Sequence, residues 1–260
     1  MRDKIIKTLL DCLREGGQII RKGYGLSHNI RKKSPVSIVT EIDMATDRKV
    51  RARILKAFPD HQIVTEELEA VKSSSPFRWI IDPLDGTTNF AHEIPFCCIS
   101  IGLEYKNKMI LGGVYDPILG ELFLAEKGKG ATLNGRKIRV SKTHNLIDSL
   151  LVTGFPYDRQ EKAGFYVKFF KAFLEKCLGV RRLGAAAMDL SYVACGRFEA
   201  YWEFNLKPWD MAAGMLLVEE AGGKVTNFSG TPIDVNRPIQ LLSSNGLIHP
   251  TLLKIFRKTL

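Results

Sequence analysis

Carboxylates give the clearest chemical signal in this sequence of 260 residues. Asp82 and Asp85 stand three residues apart, directly after the apolar residues 79–81 and just before Gly86. Ligands of α/β proteins commonly bind where strands end. An Asx turn with helix-capping aspartates would give the same spacing, so this pair alone leaves a binding site and a structural turn both open.

Other acidic residues favour a binding site. Glu66 and Glu67 follow a short predicted strand. Asp43 and Asp210 each stand near the start of a predicted helix. Oxygen ligands without nearby His or Cys suit Mg²⁺ or Mn²⁺ and disfavour zinc. Clustered carboxylates repel one another unless divalent cations lie among them, and a two-metal site is suited to phosphate esters. The pattern therefore predicts metal-dependent phosphoryl chemistry.

The residues after Asp85 could hold the phosphate itself. Gly86 allows the backbone to approach an anion closely. The amides of Gly86, Thr87 and Thr88 begin a predicted helix, whose positive end favours phosphate oxygens.

Composition narrows the class of protein. Lys and Arg number 38 against 28 Asp and Glu, so the net charge is +10 and favours anionic partners. A basic surface that serves only solubility remains an alternative. With 45% hydrophobic residues the chain is not a disordered protein. Five cysteines without a C-x-x-C pair predict a reduced, cytoplasmic protein. The sequence shows neither a signal-peptide pattern nor an apolar span of membrane length, so we do not expect a membrane protein.

Hydrophobic periodicity predicts a mixed α/β protein. A single compact unit is expected, with two subdomains around one cleft and a boundary near Asn145. Residues 1–145 would form an α+β subdomain with most metal ligands, and residues 146–260 an α/β subdomain. Predicted helices span residues 4–22, 43–58, 162–178, 185–195, 208–221 and 250 onward; predicted strands span 77–81, 98–103, 149–154, 198–203, 224–227 and 239–243, with an antiparallel meander over 109–140 and a short strand at 180.

These motifs resemble those of the inositol monophosphatase family, of the bacterial inositol-1-monophosphatase and extragenic suppressor type. The resemblance includes Asp-Pro-Leu-Asp-Gly-Thr-Thr-Asn-Phe at 82–90, Lys-Pro-Trp-Asp at 207–210 and Glu-Glu-Ala-Gly-Gly at 219–223. Further blocks follow in the family's order over nearly the whole chain. The resemblance implies a sugar-phosphatase-like fold of alternating α-β-α-β-α layers.

The resemblance also implies a metal site. Glu66, Asp82 and the backbone carbonyl of Leu84 would bind one Mg²⁺ ion. Asp82, Asp85 and Asp210 would bind a second ion, and Glu66 would share a third, weaker one. Mn²⁺ would substitute for Mg²⁺, and lithium would inhibit.

Catalytic roles follow from the same resemblance. Thr87 and Asp43 would orient and deprotonate the attacking water, with Glu66 as a further catalytic residue. The amides of Gly86 and Thr87 would hold the phosphate during direct hydrolysis, without a phosphoenzyme.

Substrate contacts are expected from the second half of the chain. Glu203 and Asp210 would bind substrate hydroxyls, with backbone contacts from Gly184 and Ala186. An exposed glutamate at a strand end is the alternative for Glu203.

Several polar residues keep two interpretations. Lys32 is similar in position to a family lysine near the metals, although its basic neighbours also suit a solvated loop. Glu67 would support the site without binding the same ion. Arg181 and Arg182 would either edge the cleft or pair with acids at a subunit contact. We expect four histidines at the surface or in loops: His61, His92, His144 and His249.

The sequence therefore predicts a Mg²⁺-dependent phosphatase of inositol monophosphate or a similar small polyol phosphate. Fructose 1,6-bisphosphate and histidinol phosphate remain alternative substrates. Thr88 and Asn89 count against the nucleotide-directed relatives. A binding role on RNA polymerase, antitermination or ribosome-assembly machinery is the alternative from another class. The family also implies a homodimer.

Overall fold

The structure is a computed structural model that describes residues 1–235, 237 and 239–259. This part of the chain forms seven α-helices and fourteen β-strands. The helices are α1 (Arg2–Gly23), α2 (Glu41–Ala57), α3 (Thr87–Ala91), α4 (Arg159–Leu174), α5 (Ala186–Ala194), α6 (Pro208–Glu220) and α7 (His249–Thr259). The strands are β1 (Arg31–Ser34), β2 (Ser37–Val39), β3 (Gln62–Thr65), β4 (Phe77–Asp85), β5 (Cys98–Tyr105), β6 (Lys108–Asp116), β7 (Glu121–Glu126), β8 (Gly130–Leu133), β9 (Arg136–Lys137), β10 (Leu150–Thr153), β11 (Gly179–Arg181), β12 (Ala200–Leu206), β13 (Lys224–Thr226) and β14 (Ile239–Ser244).

The first half of the chain builds a seven-stranded sheet in the order β3-β4-β5-β6-β7-β8-β9. Only β3 and β4 run parallel; every later pair in this sheet is antiparallel. Asn134 and Gly135 both have positive φ, which suits a tight hairpin turn between β8 and β9. The predicted meander is confirmed.

The second half builds a five-stranded sheet in the order β11-β10-β12-β14-β13. Strand β10 runs parallel to both neighbours, whereas β14 is antiparallel to β12 and β13. The two larger sheets therefore use residues 62–137 and 150–244. The predicted boundary, Asn145, lies between these two ranges of the chain. The division into two subdomains stays a prediction.

Helices and sheets alternate in five layers. Helices α1 and α2 pack on one face of the seven-stranded sheet, and α5 and α6 lie between the two sheets. Helices α4 and α7 cover the outer face of the five-stranded sheet. Strand β4 has apolar side chains on both faces of this sheet, so both faces need helices packed on them. Trp79 and Ile81 join the core under α1, while Ile80 joins the core under α6. The expected α-β-α-β-α layering is confirmed.

Helix α6 lies unusually close to the sheet beneath it. A β-carbon at Gly112 would lie 3.0 Å from both the Cα and the carbonyl oxygen of Ala213, and one at Gly102 would lie 3.1 Å from the Cβ of Ala212. Glycine at these strand positions lets the helix backbone settle against the strands. This contact fixes the start of α6, where Asp210 lies.

Some element boundaries differ from the sequence prediction. Strand β4 continues to Asp85 instead of ending at residue 81, with a register irregularity between Asp82 and Asp85. The two aspartates therefore lie within the bent end of the strand. Helix α4 ends at Leu174, not at residue 178, and Leu178 is 70% exposed.

The expectation of surface histidines is wrong for His61, whose ring is buried. It stacks between Phe58 and Phe77, at centroid distances of 4.5 and 4.7 Å. Its Nδ1 accepts a hydrogen bond from Trp79 Nε1 at 3.0 Å. The aromatic neighbours and one satisfied nitrogen make this histidine part of the core.

The expectation is also wrong for His249, which is fully buried. Nε2 lies 2.9 Å from Thr226 Oγ1, whose own hydrogen goes to the carbonyl oxygen of Asn227. We therefore assign the hydrogen to Nε2, and Nδ1 accepts from Ser244 Oγ at 2.8 Å. Both nitrogens are satisfied in the neutral ring, and burial lowers the pKa of His249 to about 4.

This histidine should make stability depend on pH. The unfolded chain takes up a proton near pH 6.5, while the folded chain resists it down to about pH 4. The contribution of neutral His249 to the free energy of unfolding is thus fully present above pH 6.5. It decreases as the pH falls towards 4, by up to about 3 kcal/mol. Urea unfolding between pH 7 and 4.5 should show a smaller decrease for His249→Gln than for the wild type. The exposed-residue control His144→Gln should follow the wild type; parallel curves for all three proteins would contradict this role.

Candidate active site

A cleft of about 540 Å³ opens where the two sheets approach each other. Its walls come from the end of β4, the start of α3, the loop 154–159, strand β12 and the start of α6. Most of the predicted site residues line it. They are Glu66, Asp82, Leu84, Asp85, Gly86, Thr87, Gly184, Ala186, Glu203 and Asp210.

Asp43 and Thr87 form a hydrogen-bonded pair beside this cleft. Asp43 occupies the third position of α2, where its Oδ2 accepts from the backbone N and Oγ1 of Thr40, a capping box. Its other oxygen, Oδ1, accepts from Thr87 Oγ1 at 2.8 Å. Burial raises the pKa of Asp43. The cap thus aims a buried carboxylate at the threonine hydroxyl.

The two aspartates of β4 are each held by a backbone amide. Asp82 Oδ1 accepts from Leu84 N at 3.1 Å, within the bent strand end. Asp85 Oδ2 accepts from Ala187 N at 2.7 Å, in the first turn of α5. The carbonyl oxygen of Leu84 lies 3.0 Å from Thr87 Oγ1. Strand β4 therefore presents two carboxylates and one carbonyl to the same region.

Asp210 reaches the cleft from the opposite wall. It is the third residue of α6, after Pro208 at the helix start. Its Oδ2 accepts from the backbone N of Lys207 at 2.6 Å. This cap fixes the carboxylate at the helix start, which the close contact of α6 with the sheet places against β4.

These carboxylates destabilise one another when all are ionised. Burial raises the pKa of Asp82, and the charges of Glu66, Asp85 and Asp210 raise it further. Burial raises the pKa of Asp85 to about 7, against the lowering effect of the Ala187 amide. Burial also raises the pKa of Asp210. The cleft therefore favours either protonation or a cation among the carboxylates.

Glu203 lines the same cleft, on β12. Its Oε2 accepts a hydrogen bond from the Tyr201 hydroxyl at 2.5 Å. A β-carbon on Gly154 would lie 1.8 Å from that same oxygen, so the glutamate rests directly on the glycine backbone. Burial raises the pKa of Glu203 to about 7. The sequence analysis did not identify Gly154 as a site residue, because its role depends on a contact with the distant Glu203.

Lysine 33, not Lys32, contacts the acidic residues after β3. Lys33 Nζ lies 2.7 Å from Glu66 Oε1 and also bonds to Glu67. Lys32 is exposed, and its side chain has no contact of this kind in the described chain. Burial raises the pKa of Glu67 to about 7 despite the bond to Lys33. The cation that contacts these acidic residues is therefore Lys33, one residue beyond the expected Lys32.

The two adjacent arginines differ in position. Both are exposed, but Arg182 lines the cleft, whereas Arg181 is not among its lining residues and directs Nη1 to the carbonyl oxygen of Val180. Of the two expected positions for this pair, Arg182 therefore takes the one at the edge of the cleft.

Across residues 1–235, 237 and 239–259, no three His, Cys, Asp or Glu side chains form a preassembled metal cage. Glu66 is drawn to Lys33, and Asp85 and Asp210 are directed to backbone amides. The donors nevertheless share one cleft, and their chemistry is that of hard-cation ligands.

Comparison with known proteins identifies the family. The inositol monophosphatase family profile matches residues 1–260. The chain belongs to this family. Among its relatives, Nus factor SuhB of Pseudomonas aeruginosa is 45% identical over 234 residues, which cover 87% of this chain and 86% of the relative. Inositol-1-monophosphatase of Synechocystis is 45% identical over 231 residues, covering 88% and 80%.

Solved structures of the family share the fold. The extragenic suppressor protein of Bartonella henselae superposes with a TM-score of 0.94 at 37% identity, covering 98% of this chain and 99% of that one. An IMPase/NADP phosphatase complexed with Mg²⁺ and phosphate superposes with a TM-score of 0.85 at 28% identity, covering 97% and 95%. No helix in the described part of this chain has the length and apolar character needed to cross a membrane.

The contacts of Lys33 predict a stability difference between neighbouring lysines. Lys33→Ala would leave the buried Glu67 without its cation, so we expect a loss of about 1–3 kcal/mol in the free energy of unfolding. Lys32→Ala, the matched control, should cost less than about 0.5 kcal/mol. Urea unfolding with a chelator present measures both. Equal losses would show that the Lys33 contacts contribute nothing.

Proposed function

We propose that this protein is a Mg²⁺-dependent phosphomonoesterase that hydrolyses inositol monophosphate or a similar small polyol phosphate. The observation that carries the proposal is the convergence of Asp82, Asp85 and Asp210 on the cleft that the Asp43–Thr87 pair borders. Membership of the inositol monophosphatase family supports the same chemistry.

The carboxylates fit divalent cations. Asp82, Asp85, Asp210 and Glu66, with the carbonyl of Leu84, would hold two or three Mg²⁺ ions or Mn²⁺ in their place. Burial and the neighbouring negative charges raise the pKa of Asp82. In the described chain, the ion pair between Lys33 and Glu66 is the only one that these four carboxylates form. Bound there, the metal would lower the pKa of water and neutralise charge developing on the phosphate.

Thr87 and Asp43 would move the proton. Thr87 Oγ1 donates to Asp43 Oδ1, so the lone pairs of the hydroxyl oxygen remain available to a water molecule. As that water attacks phosphorus, Thr87 would take its proton and pass its own to Asp43 Oδ1. Burial of Asp43 raises its pKa and makes the carboxylate a better acceptor. Hydrolysis is then direct, with no covalent intermediate on the protein.

Gly86 and Thr87 would hold the phosphate. Gly86 has φ 87° and ψ 34° and precedes α3, so the amides of the two residues begin a helix. A β-carbon at Gly86 would lie 2.9 Å from the carbonyl oxygen of Phe96, so another side chain is excluded there. The backbone can then approach the phosphate oxygens closely.

Glu203 would recognise the polyol. Its carboxylate on Gly154 accepts hydroxyl hydrogens, and the backbone of Gly184 and Ala186 forms the adjacent wall, with Asp210 opposite. Fructose 1,6-bisphosphate and histidinol phosphate are alternative substrates of this site. The proposal further includes a homodimer, inhibition by lithium and a cytoplasmic location.

Phosphate release tests the proposal. The wild-type protein should hydrolyse inositol 1-phosphate only with Mg²⁺, and lithium should inhibit. Asp210→Asn should lower kcat/KM about a thousandfold or more, because it removes a charged metal ligand. Asp60→Asn, an exposed control, should stay within about twofold. Release that is independent of Mg²⁺, or an active Asp210→Asn, would reject the metal assignment.

Substitution of Gly154 should affect substrate binding more than turnover. Gly154→Ala would displace the Glu203 carboxylate and raise KM for inositol 1-phosphate about tenfold or more, because hydrogen bonds to charged groups contribute about 1.5–3 kcal/mol. Glu203→Gln should resemble it. Gly164→Ala, where a β-carbon meets nothing within 4 Å, is the matched control. An unchanged KM in Gly154→Ala would separate Glu203 from substrate recognition.

A second function is suggested by the relatives that carry the name Nus factor SuhB. We propose that this chain also binds the transcription machinery, a role compatible with its net charge of +10. Tagged wild-type protein and Asp85→Asn should both copurify RNA polymerase or antitermination factors from the native host. Recovery of neither partner by either protein would reject this role.

A further inference from the structure

Asn89 joins helix α3 to the segment 182–186, which we call the cleft wall. It lies in α3, two residues after Thr87, and is buried. Its Nδ2 donates to the carbonyl oxygen of Phe96 at 2.8 Å and to that of Leu183, 94 residues further along the chain, also at 2.8 Å. Since only the amide nitrogen can donate to two carbonyl oxygens, these contacts fix the orientation of the side chain.

The cleft wall is held to the end of β4 and the start of α3 by three contacts. The backbone N of Ala187 donates to Asp85 Oδ2 at 2.7 Å. Ala185 packs against Gly86, where a β-carbon would lie 3.2 Å from the Cβ of Ala185. Asn89 makes the third contact. Asp85 and Gly86 also line the cleft and have roles in the proposed metal and phosphate sites, whereas Asn89 does not line the cleft.

The bridge made by Asn89 holds together two groups that repel each other. The carbonyl oxygens of Phe96 and Leu183 carry like partial charges, and a single side-chain NH₂ group lies between them. Without this donor, both oxygens would lose a hydrogen bond beside a buried residue, and only their repulsion would remain. The cleft wall would then move away from α3.

The two parts that Asn89 connects meet different parts of an ester in the proposed function. Gly86 and Thr87 hold the phosphate, and the cleft wall with Glu203 binds the alcohol that leaves. We propose that Asn89 is a positioning residue that sets the distance between these two parts and thereby determines how well the cleft binds the leaving group. The inference rests on the proposed function. A displacement of about 1 Å, even from a residue that does not contact the substrate, can cost about a hundredfold in rate.

Asn245 provides a matched control. It is also buried, and its Nδ2 donates to the carbonyl oxygen of Thr143 at 2.8 Å, 102 residues away in the chain. It does not line the cleft. Asn89→Ala and Asn245→Ala therefore each remove a buried donor that joins distant segments, and both should lower the melting temperature. A purely structural role for Asn89 would make the two variants behave alike in every assay.

The test separates binding of the leaving group from binding of the phosphate. Wild type, Asn89→Ala and Asn245→Ala are assayed with Mg²⁺ on inositol 1-phosphate and on 4-nitrophenyl phosphate, whose leaving group has no hydroxyl for the cleft wall or Glu203 to bind. Asn89→Ala should raise KM for inositol 1-phosphate at least tenfold. Its KM for 4-nitrophenyl phosphate and the inhibition constant of inorganic phosphate should change less than threefold. Asn245→Ala should match the wild type in all three constants.

Parallel changes in the three constants of Asn89→Ala, or no change in any, would overturn the inference. If Asn89→Ala does not fold, Asn89→Ser, which retains one hydroxyl donor, is compared with Asn245→Ser under the same criteria.

Hydrogen exchange tests the positioning role without any reaction. If the wild type hydrolyses neither ester, the proposed function fails, and the exchange of backbone amides 182–187 decides the inference by itself. At a temperature where both variants are folded, these amides should exchange at least tenfold faster in Asn89→Ala than in Asn245→Ala, because the local opening of the cleft wall costs less without the bridge. Equal exchange rates would overturn the inference.

Discussion

Repulsion among buried carboxylates is the constraint on which the rest of this site depends. Asp82, Asp85 and Asp210 are held in one cleft, where burial raises the pKa of each and the charges of neighbouring carboxylates raise it further. Each is stabilised by a backbone amide, from Leu84, Ala187 and Lys207. Such bonds favour the charged form but leave the net negative charge in place. Only cations remove it, so the structure is arranged for ligands that it does not itself supply.

Holding these groups together requires elements from both sheets. Helix α6, which carries Asp210, packs against strands of the seven-stranded and the five-stranded sheets. Its close approach at Gly102 and Gly112 leaves no space for a β-carbon without displacement. Because interiors are closely packed, a shift of this helix would move one carboxylate relative to the strand that carries the others. The middle layer therefore sets the spacing of the site.

The sequence predicts the features that are contiguous along the chain. The aspartates of β4, Gly86 and the capped start of α6 belong to short motifs whose local conformation largely fixes their direction. Other features depend on contacts between distant residues. Lys33 reaches Glu66 and Glu67 across the fold, and Gly154 matters only because Glu203 rests on it. Periodicity could not find the buried His249 either, because its partners, Thr226 and Ser244, come from two separate strands.

The negative charge of the cleft orders the binding events on the proposed function. An approaching phosphate would meet Asp82, Asp85 and Asp210 unless cations were already bound. Arg159 and Arg182 also line this cleft, but their positive charge acts on the further carboxylates Glu203 and Asp189. Cations held among the acidic residues would remove the repulsion, and the substrate phosphate could then approach the amides of Gly86 and Thr87.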